Sequence, residues 1–219
     1  MSKNSSVYFF LWLLIQLLIE INCQMAPFKP LQRRSHTVTF IDNKLFILGG
    51  VSDDLTLDDN DIIIGKQFFY LDASISFNTQ ELLWNDLTSI NLVPPHAGAA
   101  SVNGGANNNT LVLFGGLPLN FNETMTFIYT FNAKSNLWRN VSQMSENIVN
   151  KRSLTGIADY NGKMYLFDGA SMVTELNDML ILDTINLNWK KGSSVHAPTP
   201  RYLYGATFLP NQHIIYLGK

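Results

Sequence analysis

An all-β chain built from repeated units is predicted by three observations. Hydrophobic strands ending in a glycine turn recur as Lys44-Leu-Phe-Ile-Leu-Gly49-Gly50, Leu111-Val-Leu-Phe-Gly115-Gly116 and Lys163-Met-Tyr-Leu-Phe-Asp168-Gly169. Each is followed by a lone tryptophan, Trp84, Trp138 and Trp189, spaced 54 and 51 residues apart. Short runs such as Thr37–Ile41, Leu45–Leu48 and Leu180–Leu182 are rich in β-branched and aromatic residues, and turn formers bound them at Asp42-Asn-Lys, Asn161-Gly-Lys and Pro210-Asn-Gln. A fixed period of about 50 residues marks a repeat architecture.

From the N-terminus, residues 1–23 read as a signal peptide. Lys3 precedes the apolar run Val7–Ile15, continued by Leu17 and Leu18, while Glu20 and Asn22 prevent its extension. The run suits a signal core and is short for a membrane span. Cleavage after the small Cys23 leaves a secreted or luminal chain, and an uncleaved signal would anchor it to a membrane. Outside the first 21 residues no window carries a sustained helical period. Residues 24–219 then divide into units at approximately 28–92, 93–145, 150–193 and a partial unit at 199–219.

The first unit opens at Arg34-Ser-His36 and resumes with Phe69-Tyr-Leu-Asp72. Trp84 follows Gly50 by 34 positions, whereas Trp138 follows Gly116 by 22 and Trp189 follows Gly169 by 20. An insertion therefore lies in the first unit, over 51–67. The second unit opens at Pro95-His-Ala-Gly98 and resumes at Phe127-Ile-Tyr-Thr-Phe-Asn132; the third runs from Arg152-Ser-Leu-Thr-Gly156 to Leu176-Asn-Asp-Met-Leu-Ile-Leu-Asp. The fourth opens at Arg201-Tyr-Leu-Tyr-Gly205 and reaches Leu217-Gly218-Lys219.

These units resemble kelch repeats, and the resemblance covers residues 28 to 219. It implies a kelch-type β-propeller of the galactose oxidase/kelch-like class, with three complete four-stranded blades and a partial fourth. The structural repeat motif is then Gly49, Gly50, Trp84, Gly115, Gly116, Trp138, Gly169, Trp189 and Gly218, the tryptophans packing between blades. The chain departs from the pattern where Asp168 replaces the first glycine of a doublet and Lys219 the second. A ring needs about 4–8 blades. The expectation is thus a fragment of a longer protein, with Gln24–Gln32 able to lend one strand.

Composition narrows the function. After removal of residues 1–23 no cysteine remains, so disulfides do not stabilise the mature chain. Fourteen basic and sixteen acidic residues remain without a basic run, which argues against nucleic-acid binding. Charged residues are only 15% of the chain, a surface suited to protein or glycan partners. Secretion would make Asn108, Asn122 and Asn140 glycosylation acceptors, each predicted to lie between strands.

The resemblance also implies where binding occurs. Connections 51–67, 117–125, 171–178, 85–95, 139–151 and 190–200 gather on one face of a propeller, and long loops on a rigid scaffold form a binding surface. The 51–67 loop is its most distinctive part. Its Asp53, Asp54, Asp58, Asp59 and Asp61 form a possible binding loop, read as a solvated acidic segment rather than a calcium site because EF-hand spacing is absent.

Enzymatic readings find little. A galactose oxidase site needs a cysteine cross-linked to tyrosine, and the single cysteine is Cys23. His36 and His96 are expected at matching architectural positions, His196 as an exposed side chain in the Ser193–Pro200 connection, and His213 beside a turn. No Gly-x-Ser-x-Gly elbow, phosphate loop or zinc spacing occurs. Glu175 and Asp178 are the nearest pair for an iron-dependent lyase or isomerase, and Asp178 also fits an ordinary strand start. The sequence therefore points to a non-catalytic binding module with no cofactor and no metal, the alternative being part of an extracellular kelch-type enzyme.

Overall fold

The computed structural model describes residues 7–13, 27–53, 58–120, 125, 128–141, 148–171 and 177–218. Within the predicted signal segment, residues 7–13 form a short helix, α1, with exposed side chains. Among the described residues no helix is long and apolar enough to cross a membrane. Residues 27–33 form no strand, so the expected extra strand is not found in the described part of Gln24–Gln32.

The first sheet begins as a hairpin of β1 (Thr37–Ile41) and β2 (Lys44–Leu48). Asp42 and Asn43 close it with φ of 48° and 61°, the backbone of a two-residue turn that matches the natural twist of the strands. Along β1, Thr37, Thr39 and Ile41 are buried while Val38 and Phe40 are exposed, the period of two expected of a half-covered strand. Helix α2 (Asp59–Lys66) follows, then β3 (Phe68–Asp72) and β4 (Trp84–Asp86), in sheet order 1-2-3-4.

The second unit contributes β5 (His96–Ala97), β6 (Ala100–Gly104), β7 (Thr110–Phe114), β8 (Leu117–Pro118), β9 (Ile128–Asn132) and β10 (Leu137–Val141). Strands β6, β7, β9 and β10 form the second four-stranded sheet, and β5 pairs with β8 beside it. Strands β11 (Gly156–Ala158), β12 (Lys163–Phe167), β13 (Met179–Asp183) and β14 (Asn188–Lys191) form the third. The hairpin of β15 (Gly205–Phe208) and β16 (Ile214–Leu217) is the inner half of a fourth. Each four-stranded sheet is antiparallel with its strands in chain order, so each is one blade of a propeller.

The core lies between blades. Ile41, Phe46, Leu48 and Phe68 of the first sheet meet Leu111, Leu113, Tyr129 and Phe131 of the second. Val112, Phe114 and Ile128 of the second meet Met164, Leu166, Leu180 and Leu182 of the third in a separate cluster. Each such side chain contributes about 1.5–3 kcal/mol on burial. Trp138 on β10 packs against Phe68 of the first blade (5.2 Å between centroids), and Trp189 on β14 against Phe114 of the second (5.2 Å). Both therefore pack between blades. Trp84 packs instead on Phe69 of its own blade (5.2 Å), no described blade lying before the first.

Strand registers correct two sequence expectations. Thr37↔Leu48, Ala100↔Phe114 and Gly205↔Leu217 open three hairpins at corresponding places. Ser35, Gly98, Ser153 and Leu203 then fall in one column, all with positive φ (56°, 68°, 58° and 53°). His36 consequently aligns with Ala99, Leu154 and Tyr204, and His96 with Arg33, Lys151 and Arg201. The two histidines do not occupy matching places, because the left-handed residue and not the histidine anchors the motif. Secondly, Asn140 lies within β10, opposite Tyr129, and not in a connection.

Candidate functional site: the long-loop face

Two series of backbone hydrogen bonds hold neighbouring blades together near the long-loop face. Gly98 donates its N–H to the Ser35 carbonyl, Ser153 to Gly98 and Leu203 to Ser153, each at 2.8 Å. In the second series, Gly50 donates to the His96 carbonyl (2.9 Å), Gly116 to Lys151 (2.9 Å) and Gly169 to Arg201 (3.2 Å). The first glycine of the doublet makes this closeness possible. A Cβ on Gly115, whose φ is +70°, would stand 2.2 Å from the Lys151 carbonyl oxygen. A left-handed backbone and missing Cβ are therefore both required there. Asp168 holds the same column at φ 49°, and its carboxylate accepts the Arg201 N–H at the start of the fourth unit.

The column Arg33, His96, Lys151 and Arg201 is polar throughout and structural throughout. Arg33 donates to the carbonyls of Gly49 (3.1 Å) and Ile64 (3.3 Å) and to Gln67, and its guanidinium lies 4.8 Å from the Phe69 ring centre. Burial lowers its pKa to about 10. Arg201 repeats the contact by donating to the Gly218 carbonyl (3.3 Å). Lys151 is buried and paired with Asp178, so that carboxylate is committed to a structural ion pair. Asp168 sits beside them, and burial pushes its pKa up. Glu175, the other half of the candidate lyase pair, lies outside the described residues.

His96 is fully enclosed. Its Nδ1 lies 2.9 Å from the Pro94 carbonyl, its Nε2 is buried without a partner, and burial lowers its pKa to about 4. His36 is exposed beside a recess of about 260 Å³ at the inner ends of the blades, lined by Ser35, Gly98, Ser153 and Leu203. Burial and then the Arg33 charge lower its pKa. His196 and His213 are exposed in turns. Among the described residues no three His, Cys, Asp or Glu side chains come together as a metal site.

Within the insertion, Asp59–Lys66 form helix α2, which the sequence period does not signal. Asp58 caps α2 by accepting the Asp61 N–H (3.1 Å), and Asp61 accepts the Asp58 N–H in return (3.3 Å). Asp61 is buried and also accepts the Ser52 N–H at 2.6 Å. Burial alone would raise its pKa, but these bonds hold it below the ordinary value. Asp53 and Asp59 are exposed, and Asp54 lies outside the described residues. The aspartates are thus divided between capping and solvent rather than converged on one point.

Helix α2 presses closely on the second blade. A Cβ on Gly65 would lie 2.4 Å from Leu119 Cδ1 and 2.9 Å from the His96 N atom, so only glycine permits the approach. Lys66 donates to the Val93 carbonyl (2.9 Å), and Asn91 donates to the Lys66 carbonyl (2.8 Å). Ile62 and Ile63 remain 37% and 54% exposed on the outside. With Phe28, Lys66, Thr88 and Pro95 they border a groove of about 470 Å³.

Of the glycosylation candidates, Asn108 is exposed at φ 50° in the β6–β7 turn and Asn140 is exposed on β10; Asn122 lies outside the described residues. Residues 35–219 match the family model described as the KLHDC2/KLHL20/DRC7 Kelch-repeats domain. No curated protein matches the chain.

Proposed function

This chain belongs to the kelch-repeat family, a repeat of β-propeller blades suited to protein binding, and from that premise we propose a non-catalytic, secreted binding module. It engages a protein partner through the long-loop face. The groove beside α2 carries the reading: a rigid, capped helix held against the second blade displays Ile62 and Ile63 next to a lysine and a threonine. Apolar surface rimmed by polar groups is a common docking layout. A carbohydrate could occupy the same groove through Thr88, Gln67 and Asp86, and arrays of peptides and glycans separate the two ligand classes.

The test is binding of the purified chain to such arrays, followed by Ile63→Asp. Loss of the selected ligand with an unchanged circular dichroism spectrum supports the site. Unchanged binding moves it elsewhere on the molecule. Stoichiometric iron or copper in the purified protein would overturn the non-catalytic assignment.

The N-terminal apolar run supports secretion, with glycans on Asn108, Asn122 and Asn140. Expression in a eukaryotic secretory host, N-terminal sequencing and glycosidase treatment test this together. A mature N-terminus at Gln24 with mass shifts at these asparagines is expected. Retention of residues 1–23 would favour membrane anchoring.

A further inference from the structure

His96 is a buried ionisable residue set where helix α2 meets the second blade, apart from the exposed side chains of the groove. A Cβ on Gly65 of α2 would stand 2.9 Å from its backbone N. A Cβ on Gly49 would stand 2.9 Å from its Nε2 and 3.0 Å from its Cε1. The helix therefore presses on the backbone of His96, and the glycine doublet on its ring. The Gly50 N–H donates to the His96 carbonyl (2.9 Å), so this residue joins the first blade, α2 and β5 at one point.

The site has no place for a proton. Because Nδ1 lies 2.9 Å from the Pro94 carbonyl, it carries the ring hydrogen and donates it, which leaves Nε2 to take any further proton. Nε2 is buried without a partner, so a hydrogen there would be an unsatisfied donor as well as a buried charge. The charge acting on the ring from α2 is the cation Lys66. From the chain before β1, Arg33 donates to the Gly49 and Ile64 carbonyls beside it. The carboxylates of α2, Asp59 and Asp61, stand in its first turn, where Asp61 accepts the Ser52 and Asp58 N–H groups. Strand β8 supplies Leu117 and Pro118, and residues 91–95 of the connection are not ionisable either.

We propose that His96 is an acid-operated latch, a proton on Nε2 releasing helix α2 from the second blade. The ties to be undone are few: the Gly65 contact, Lys66 to the Val93 carbonyl, and Asn91 to the Lys66 carbonyl. Parting the blades themselves would instead break the seam of Phe46, Phe68, Leu113 and Phe131, so the helix opens first. Its release dismantles the groove bordered by Ile62, Ile63, Lys66 and Pro95. Loss of a ligand in acid rests on that groove being the binding site, whereas the helix movement does not.

Hydrogen exchange of the full chain without ligand, compared at about pH 7.5 and pH 5 and corrected for intrinsic rates, tests this. Residues 59–66 are expected to open about 30-fold more often at pH 5, the ratio that follows when His96 titrates at about 4 closed and 6.5 open. Strands β7 and β9 should stay protected at both values. His96→Gln should lose most of the difference in 59–66, and His96→Leu serves the same comparison if the first variant does not fold. The wild-type contrast between α2 and β7 decides the matter if neither folds. No ligand enters the readout, so unchanged binding by Ile63→Asp would sink the groove and leave the latch standing. Equal protection of 59–66 at both pH values, or parallel loss of protection in β7 and β9, overturns the proposal. So does a full acid response in a folded His96→Gln.

Discussion

His96 makes acid sensitivity a residue-scale property. Its folded pKa of about 4 lies below the unfolded 6.5, so the folded state rejects a proton that the unfolded chain accepts. The stabilisation is therefore complete above pH 6.5 and lost as pH falls toward 4, reaching about 3 kcal/mol. Urea midpoints measured across that interval should fall for the wild type and fall distinctly less for His96→Leu, with His36 and Asp168 setting the slope that remains. Asp61, Asp72 and Asp183, whose pKa values are lowered, lose their contributions only below the ordinary carboxylate value and do not blur the window. Gly115 is the second sensitive residue. Gly115→Ala combines a left-handed backbone costing about 1–2 kcal/mol with a clash against the Lys151 carbonyl, so a melting midpoint well below wild type is expected. The glycine doublets are readable from sequence because a left-handed backbone beside a close carbonyl favours glycine, although Asp168 fills the same column in the third unit. The histidine alignment was not, since positive φ at Ser35, Ser153 and Leu203 leaves no compositional mark.

At the scale of the element, the strands were legible and the helix was not. A period of two and Asp-Asn or Asn-Gly turns located β1, β2 and β12 closely. Helix α2 has eight residues, too few for an apolar period to emerge, and its Ile62-Ile63-Ile64 run reads equally well as strand. The available signal is its capping chemistry, Asp58 followed three residues later by Asp61, in a run of aspartates that reads equally well as a solvated acidic loop. Asp58→Ala should cost about 1 kcal/mol and raise hydrogen exchange within residues 59–66 first. Asp61→Ala should cost more, because it also leaves the Ser52 N–H without its acceptor.

For the whole molecule, stability resides in the seams between blades. Trp138 spans two blades through Phe68 and Phe131, whereas Trp84 touches Phe69 within its own. Trp138→Ala should cost about 3–5 kcal/mol, and Trp84→Ala distinctly less, in matched denaturant titrations. Sequence spacing identified both tryptophans as one motif and could not distinguish them, since the difference depends on a neighbour and not on the repeat. The insertion has a further effect at this scale. Repeated blades present nearly the same outline at every rotation about their common axis, so a partner facing bare blades would meet several interchangeable orientations. Helix α2, present in the first unit and wedged by Gly65 against the second, distinguishes that unit from otherwise similar blades. A surface that includes it therefore has no counterpart on the second or third blade among the described residues.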